Sequence, residues 1–183
     1  MESPCFNPID NISADDAKKH IDSGIPLRDA FVTGILNLEN GSEWDKEIII
    51  ENCVIENLIC ISIQFNKHVT IKNTYVKAAS FDFCYFIGGL IIDNCIFDEY
   101  LDFNAGGHNS KGNFITINGN HFRGFVNFFD CWFNGEISVN NNIFEIGTNI
   151  LSKMQWVSFD FPIEASNNVG DLSIESECGK KEF

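Results

Sequence analysis

The residues best suited to chemistry are one histidine beside two glycines and a set of scattered carboxylates. His108 follows Gly106 and Gly107, and a histidine in a permissive backbone can serve as an acid, a base or a ligand contact. The central carboxylates are Asp82, Asp93, Asp98, Glu99, Asp102 and Asp130. Sugar-cleaving enzymes use paired carboxylates, and no pair stands out here by spacing. We therefore assign no catalytic residue and keep carbohydrate processing as an alternative.

No known catalytic or metal-binding motif occurs in the chain. Phosphate-binding, serine-hydrolase, zinc-protease and calcium-loop motifs are all missing from the sequence. No Cys-x-x-Cys pair occurs, so we predict no metal site and no cofactor. The seven cysteines are expected to be small buried side chains in a reducing compartment. They are Cys5, Cys53, Cys60, Cys84, Cys95, Cys131 and Cys178.

A short apolar phrase returns every ten or eleven residues between residues 47 and 144, most clearly at 91–97, 128–133 and 139–144. A fixed period is typical of repeat architectures. Apolar residues within a phrase often lie two apart, which is strand spacing, and the phrases are rich in weak helix formers. Two phrases make about 21 residues, enough for one coil of stacked strands. The pattern predicts an all-β fold, a right-handed parallel β-helix of about six or seven coils.

The last apolar residue of each phrase is expected to point into the core, with a small residue two positions before it. The predicted core therefore contains Cys53, Phe65, Cys84, Phe86, Cys95, Phe97, Phe122, Cys131, Phe133 and Phe144. In every second phrase, the residue before the small residue is usually asparagine. This predicts a ladder in which the amide side chains bond to each other along the rod and to backbone groups at a bend. Its members are Asn52, Asn73, Asn94 and Asn141. In one phrase the large apolar residue is replaced by His108.

This pattern resembles the pentapeptide-repeat family, in which a large apolar residue follows a small one by two positions. The Cys-x-Phe phrases at 84–86, 95–97 and 131–133 carry the resemblance, which covers roughly residues 47–144. The resemblance implies a β-solenoid. It also implies one specific function, because some similar proteins mimic duplex DNA and bind type II topoisomerases. The spacing between successive inward apolar residues alternates between five and six. This spacing is compatible with a square and with a flattened cross-section of the coil.

Exposed aromatic residues predict a binding platform. Tyr85 and Trp132 should lie one coil on either side of Gly107, and with Gly106 and His108 they form the candidate binding residues. We expect a non-catalytic interaction module that binds a protein whose identity the sequence does not reveal. The alternatives are an acidic DNA mimic and a carbohydrate-binding or carbohydrate-processing β-helix. A homodimer through the end or side of the rod is also compatible with the sequence.

The net charge of the chain limits the classes of partner that it is expected to bind. A formal net charge of −14 disfavours direct nucleic-acid binding and permits a basic partner or DNA mimicry. Basic residues interrupt any array of carboxylates, however, at Lys67, Lys72, Lys77, Lys111 and Arg123. No apolar run approaches 18 residues and no signal peptide is evident, so we expect a cytoplasmic protein without membrane contact.

The ends of the chain should protect the rod. We predict an N-terminal cap over 1–46, with a short helix at 14–23 after an N-cap at Ser13 and an irregular first coil. The β-solenoid should cover 47–175, with an insertion at 104–113. Residues 1–12 are expected to be loose, and residues 176–183 to form a flexible tail.

Overall fold

The computed structural model describes residues 10–38, 41–154 and 156–179. Parallel strands stack into a β-solenoid of about seven turns, with one short helix at its start. The predicted fold class is therefore confirmed. Residues 10–12, which the sequence predicts to be loose, lie instead in a strand (Asp10–Ser13) that pairs with Ala30–Asn37. The predictions for residues 1–9, which include Cys5, and for residues 180–183 lie outside the described residues.

The strands, numbered β1 to β20 along the chain, form three faces of the rod. Face A contains β1 (Asp10–Ser13), β3 (Ala30–Asn37), β6 (Val54–Ile59), β9 (Tyr75–Ser80), β11 (Ile96–Phe97), β12 (Leu101–Asp102), β14 (His121–Phe122), β15 (Val126–Asn127) and β18 (Ile143–Phe144). Face B contains β2 (Leu27–Arg28), β5 (Ile48–Glu51), β8 (Val69–Lys72), β10 (Leu90–Asp93), β13 (Ile115–Asn118), β17 (Ile137–Asn140) and β20 (Glu164–Ser166). Face C contains β4 (Glu43–Trp44), β7 (Gln64–Phe65), β16 (Cys131–Phe133) and β19 (Val157–Phe159), with single-residue bridges at Tyr85 and Gly107.

Face B follows directly from strand alternation. Its central strands show a buried residue at every second position. Ile50, Ile71, Ile92, Ile117 and Val139 pair in register from coil to coil and form one buried column. β-Branched side chains suit this packing because they fit a pleated, half-buried surface.

Aromatic columns fill the core beside faces A and C. Phe122 lies between Phe97 and Phe144, with ring centroids 5.4 and 4.9 Å apart and nearly parallel rings. A second column stacks Phe103 between Phe81 and Phe128, at 5.2 and 5.0 Å. All ten side chains expected in the core are buried there. Stacking of identical rings therefore holds successive coils in register.

One apolar position of the repeat differs from expectation. The phrase pattern places Ile61 in the core, yet its side chain is 44% exposed. Hydrogen bonds between the backbones of successive coils align Cys60, not Ile61, with Phe81 and Phe103. The small buried thiol of Cys60 thus occupies the space given to phenylalanine in later coils.

A buried polar ladder runs through the bend between faces B and A. The Asn120 side chain accepts from the Cys95 N–H at 2.8 Å, and that of Asn142 accepts from the Asn120 N–H at 2.9 Å. Asn168 continues the series, because its side chain accepts from the Asn142 N–H at 3.0 Å. Thr74 has the same role in the first coils, because its hydroxyl accepts a hydrogen bond from the Cys53 N–H. These side chains satisfy backbone donors that the bend leaves unpaired.

The predicted asparagine ladder lies one residue earlier and has a different role. Asn52, Asn73, Asn94 and Asn141 all adopt left-handed backbone conformations, with φ between 47° and 59°. Their side chains lie at the surface, where Asn94 donates to Asn73 at 2.8 Å, Asn52 donates to Asp29 and Asn141 donates to Asn118. Asparagine is favoured here because it tolerates the left-handed turn. The side chains of the buried ladder, not these asparagines, accept the hydrogen bonds of the backbone N–H groups at the bend.

Helix α1 (Ala14–Asp22) covers the first coil. The Ser13 side chain accepts a hydrogen bond from the Asp16 N–H, which caps the helix as predicted. Ala14, Ala17 and Ile21 are buried against the rod. The helix shields a sheet end that would otherwise be open to pairing.

The C-terminal segment runs back along the rod. Ile174 packs under Gly147, and the backbone of 171–174 bonds to that of 148–151. The Tyr100 hydroxyl donates to the Glu177 carbonyl at 2.9 Å, and Gly179 lies against the Phe125 ring. Residues 176–179, which the sequence assigns to a flexible tail, therefore contact face A.

Candidate functional site

Face C brings the predicted platform residues together. Gln64, Tyr85, Gly107 and Trp132 pair in register on four successive coils. The Tyr85 side chain is 36% exposed and that of Trp132 is 46% exposed. The Trp132 indole N–H donates to Asp160 at 2.9 Å, which fixes the ring on the surface.

His108 points outward and lies between the two aromatic residues. Its imidazole centroid is 4.2 Å from that of Tyr85 and 5.8 Å from that of Trp132. The residue has φ +53°, and its N–H donates to the Trp132 carbonyl. The left-handed backbone turns the side chain away from the core position that the repeat reserves for a large apolar residue. An imidazole therefore occupies the space between Tyr85 and Trp132.

Gly106 and Gly107, which the sequence predicts as binding residues, lie where neighbouring coils pack closely. Both are buried. A Cβ on Gly106 would lie 2.7 Å from the Cys84 carbonyl oxygen, and one on Gly107 would lie 2.7 Å from the Trp132 carbonyl oxygen. Glycine is required here because neighbouring coils approach too closely for any side chain. These residues position His108 and Trp132.

The outward turn of His108 leaves a gap in one aromatic column. Phe65 stacks on Phe86 and Phe133 stacks on Phe159, but His108 leaves this column without a ring between Phe86 and Phe133. A cavity of about 10 Å³ remains between them, lined by apolar side chains. It is at the lower limit for one water and offers no polar partner, so it is not a ligand site.

Phe83 extends the platform and was not predicted. It lies at the bend between faces A and C, has φ +54° and is 48% exposed. The equivalent bend positions hold Ser62, Ala105 and Asp130, all with positive φ. A left-handed backbone costs about 1–2 kcal/mol for a side chain such as phenylalanine. In the sequence, Phe83 is marked only by its place three residues before the core residue Phe86.

Two open depressions flank Phe83 and Tyr85. The first has a volume of about 350 Å³ and is lined by residues that include Glu43, Ser62 and Gln64. The second has a volume of about 340 Å³ and is lined by residues that include His108, Asp130 and Trp132. We call the surface formed by Phe83, Tyr85, His108, Trp132 and these two depressions the aromatic groove.

Four of the central carboxylates accept hydrogen bonds from neighbouring coils. Asn104 donates to Asp82, Asn118 to Asp93, and Asn127 to Asp102. Asp98 accepts from Arg123 and from the Tyr75 hydroxyl, and the Arg123 bond, more than that of Tyr75, lowers the pKa of Asp98. A carboxylate held ionised in this way is poorly suited to proton transfer near neutral pH.

The cysteines are buried, apart from Cys178, in the part of the chain that the structure describes. Burial raises the pKa of Cys84 and that of Cys95 to about 12, so both thiols stay protonated at neutral pH. Within residues 10–38, 41–154 and 156–179, no cluster of three or more histidine, cysteine or acidic residues could hold a metal ion. The same residues contain no helix that is long and apolar enough to span a membrane.

Comparison with known proteins places the chain in no family. No protein-family model, no curated protein and no solved structure matches it. The fold defines it as a parallel β-solenoid protein.

Proposed function

We propose that this chain is a non-catalytic interaction module that binds a protein partner through the aromatic groove. The observation that carries the proposal is a group of exposed rings, with Tyr85 and Trp132 on face C and Phe83 at the adjoining bend of the rod. Tyrosine and tryptophan dominate binding energy at protein interfaces because they bury large area at little entropic cost.

The backbone of Phe83 supports this proposal. At the bend between faces B and A, the left-handed positions are held by asparagine, aspartate or glycine, which suit that conformation. At the bend between faces A and C, Phe83 occupies a left-handed position at a cost and leaves half of its ring in water. Strain of this kind concentrates at functional sites. A binding role for the ring explains why it is placed there.

DNA mimicry receives less support from the charge pattern. One outward column of face B reads Glu51, Lys72, Asp93 and Asn118 from coil to coil. On face A, Arg123 pairs with Asp98. Neither column provides the unbroken row of carboxylates that would be needed to mimic the phosphates of a DNA duplex. Kinship with the pentapeptide-repeat family stays a proposal, supported by the buried Cys-x-Phe pairs at 84–86, 95–97 and 131–133.

The proposal is tested by affinity capture from native cell extract with matched variants. Trp132→Ala removes a groove ring, and Ile35→Ala removes an apolar side chain that is 64% exposed on face A. We expect Trp132→Ala to lose the captured protein while Ile35→Ala retains it, with the Tm of both close to wild type. Equal capture by all three proteins would contradict the proposal.

A further inference from the structure

In the described part of the chain, the two depressions of the aromatic groove are lined by exposed carboxylates and by no lysine or arginine. Glu43 lies exposed in the first depression and Asp130 lies exposed in the second. Asp160 borders the second, where it accepts from Trp132. Among the described residues, the ion pairs of lysine and arginine involve other carboxylates, on the helix and on faces A and B. The paired positions of face C, from Glu43 through Gln64, Tyr85, Gly107 and Trp132 to Ser158, contain no basic residue.

Within the described chain, Glu43 accepts a hydrogen bond from Asn66 but forms no ion pair with a basic residue. An exposed ring beside such a carboxylate favours a cationic guest. The ring faces attract a cation, and the carboxylate adds a charge-assisted hydrogen bond. Arginine fits best, because its planar guanidinium can stack on a ring and bond to a carboxylate at the same time. The net charge of −14 also draws a basic partner towards the rod.

The spacing of the two depressions constrains the partner further. Glu43 lies four coil-to-coil pairings from Trp132 on face C. At about 4.8 Å per coil this is roughly 19 Å, and an extended chain at about 3.3 Å per residue covers it in about six residues.

We infer that the aromatic groove binds an extended segment of the partner protein that carries two arginines about six positions apart. One arginine occupies the depression beside Glu43 and the other occupies the depression beside Asp130, with Phe83 and Tyr85 forming the wall between them. This inference rests on the proposed function and names the chemistry of the partner.

The test is calorimetric titration of the whole chain with capped serine–glycine peptides of about twelve residues, long enough to span both depressions. One peptide carries two arginines six positions apart. A second carries citrulline at both positions, which keeps the shape and removes the charge. A third has the two arginines adjacent. A panel of neutral oligosaccharides is titrated in parallel.

We expect the spaced arginine peptide to bind at least about tenfold more tightly than the citrulline peptide and more tightly than the adjacent one. Glu43→Gln and Asp130→Asn should each weaken binding by about fivefold to tenfold. Glu164→Gln makes the same charge change at an exposed position on face B and should leave binding unchanged. Raising the salt concentration should weaken binding of the arginine peptide steeply.

Equal binding of the arginine and citrulline peptides would overturn the inference. So would equal effects of Asp130→Asn and Glu164→Gln. Oligosaccharide binding that is lost in Trp132→Ala, with no peptide binding, would identify a sugar site and overturn both proposals. Trp132-dependent capture of a protein without any preference for arginine would overturn this inference alone and leave the proposed function standing.

Discussion

Replacing Phe122 by alanine should cause one of the largest losses of stability available in this fold. The ring is 1% exposed and stacks on both Phe97 and Phe144. Truncation of a buried phenylalanine costs about 3–5 kcal/mol. Each stacked pair adds about 0.5–1.5 kcal/mol beyond burial. We therefore expect the upper part of the range, about 4–5 kcal/mol, because both stacked pairs are lost together.

Two further substitutions separate burial from stacking. Phe122→Leu keeps most of the buried apolar surface and loses both ring contacts, so it should cost about 1–3 kcal/mol. Phe114→Ala truncates a ring that is 55% exposed and should change the free energy of unfolding by no more than about 0.5 kcal/mol. The assay is urea unfolding followed by far-ultraviolet circular dichroism. Equal midpoints for Phe122→Ala and Phe114→Ala would refute the stacked-column account.

Three other predictions follow from the same structure. Gly107→Ala should cost at least about 2 kcal/mol, measured by thermal unfolding, because its φ of +93° disfavours a side chain and its Cβ would meet a carbonyl oxygen at 2.7 Å. In the native protein Cys178 should react with a thiol reagent far faster than the buried cysteines, and equal rates before and after denaturation would contradict their burial. The pKa of Asp98 is lowered in the folded state, so its contribution to stability is present above its ordinary value of 3.8 and is lost as pH falls through the lower folded value. The stability difference between wild type and Arg123→Gln should therefore shrink below pH 3.8, and a constant difference would contradict this pairing.

The repeating part of the fold could be predicted because its period is set by a simple steric rule. Large side chains such as Phe97 and Phe122 must stack inward, and strand alternation fixes which residues lie between them. The same rule placed Tyr85, Gly107 and Trp132 on adjacent coils of face C. The N-cap at Ser13 was predictable because it depends on local hydrogen bonding alone.

Other features depend on backbone geometry that the apolar pattern does not encode. The outward turn of His108 follows from a left-handed φ and from the close packing of Gly106 and Gly107. Phe83 was missed for the same reason, because its left-handed bend exposes an apolar ring. The inward position of Asn142, two residues before Phe144, follows the repeat, whereas its hydrogen bond from the Asn120 N–H depends on the geometry of the bend.

The most direct test of the central claim is photocrosslinking to the captured partner. A benzoyl-substituted phenylalanine in place of Phe83 changes the groove little, and the same residue in place of Phe114 or Ile35 serves as the control. The account predicts a crosslink to the partner protein from position 83 and none from positions 114 and 35. Crosslinks from the two control positions without one from position 83 would contradict it.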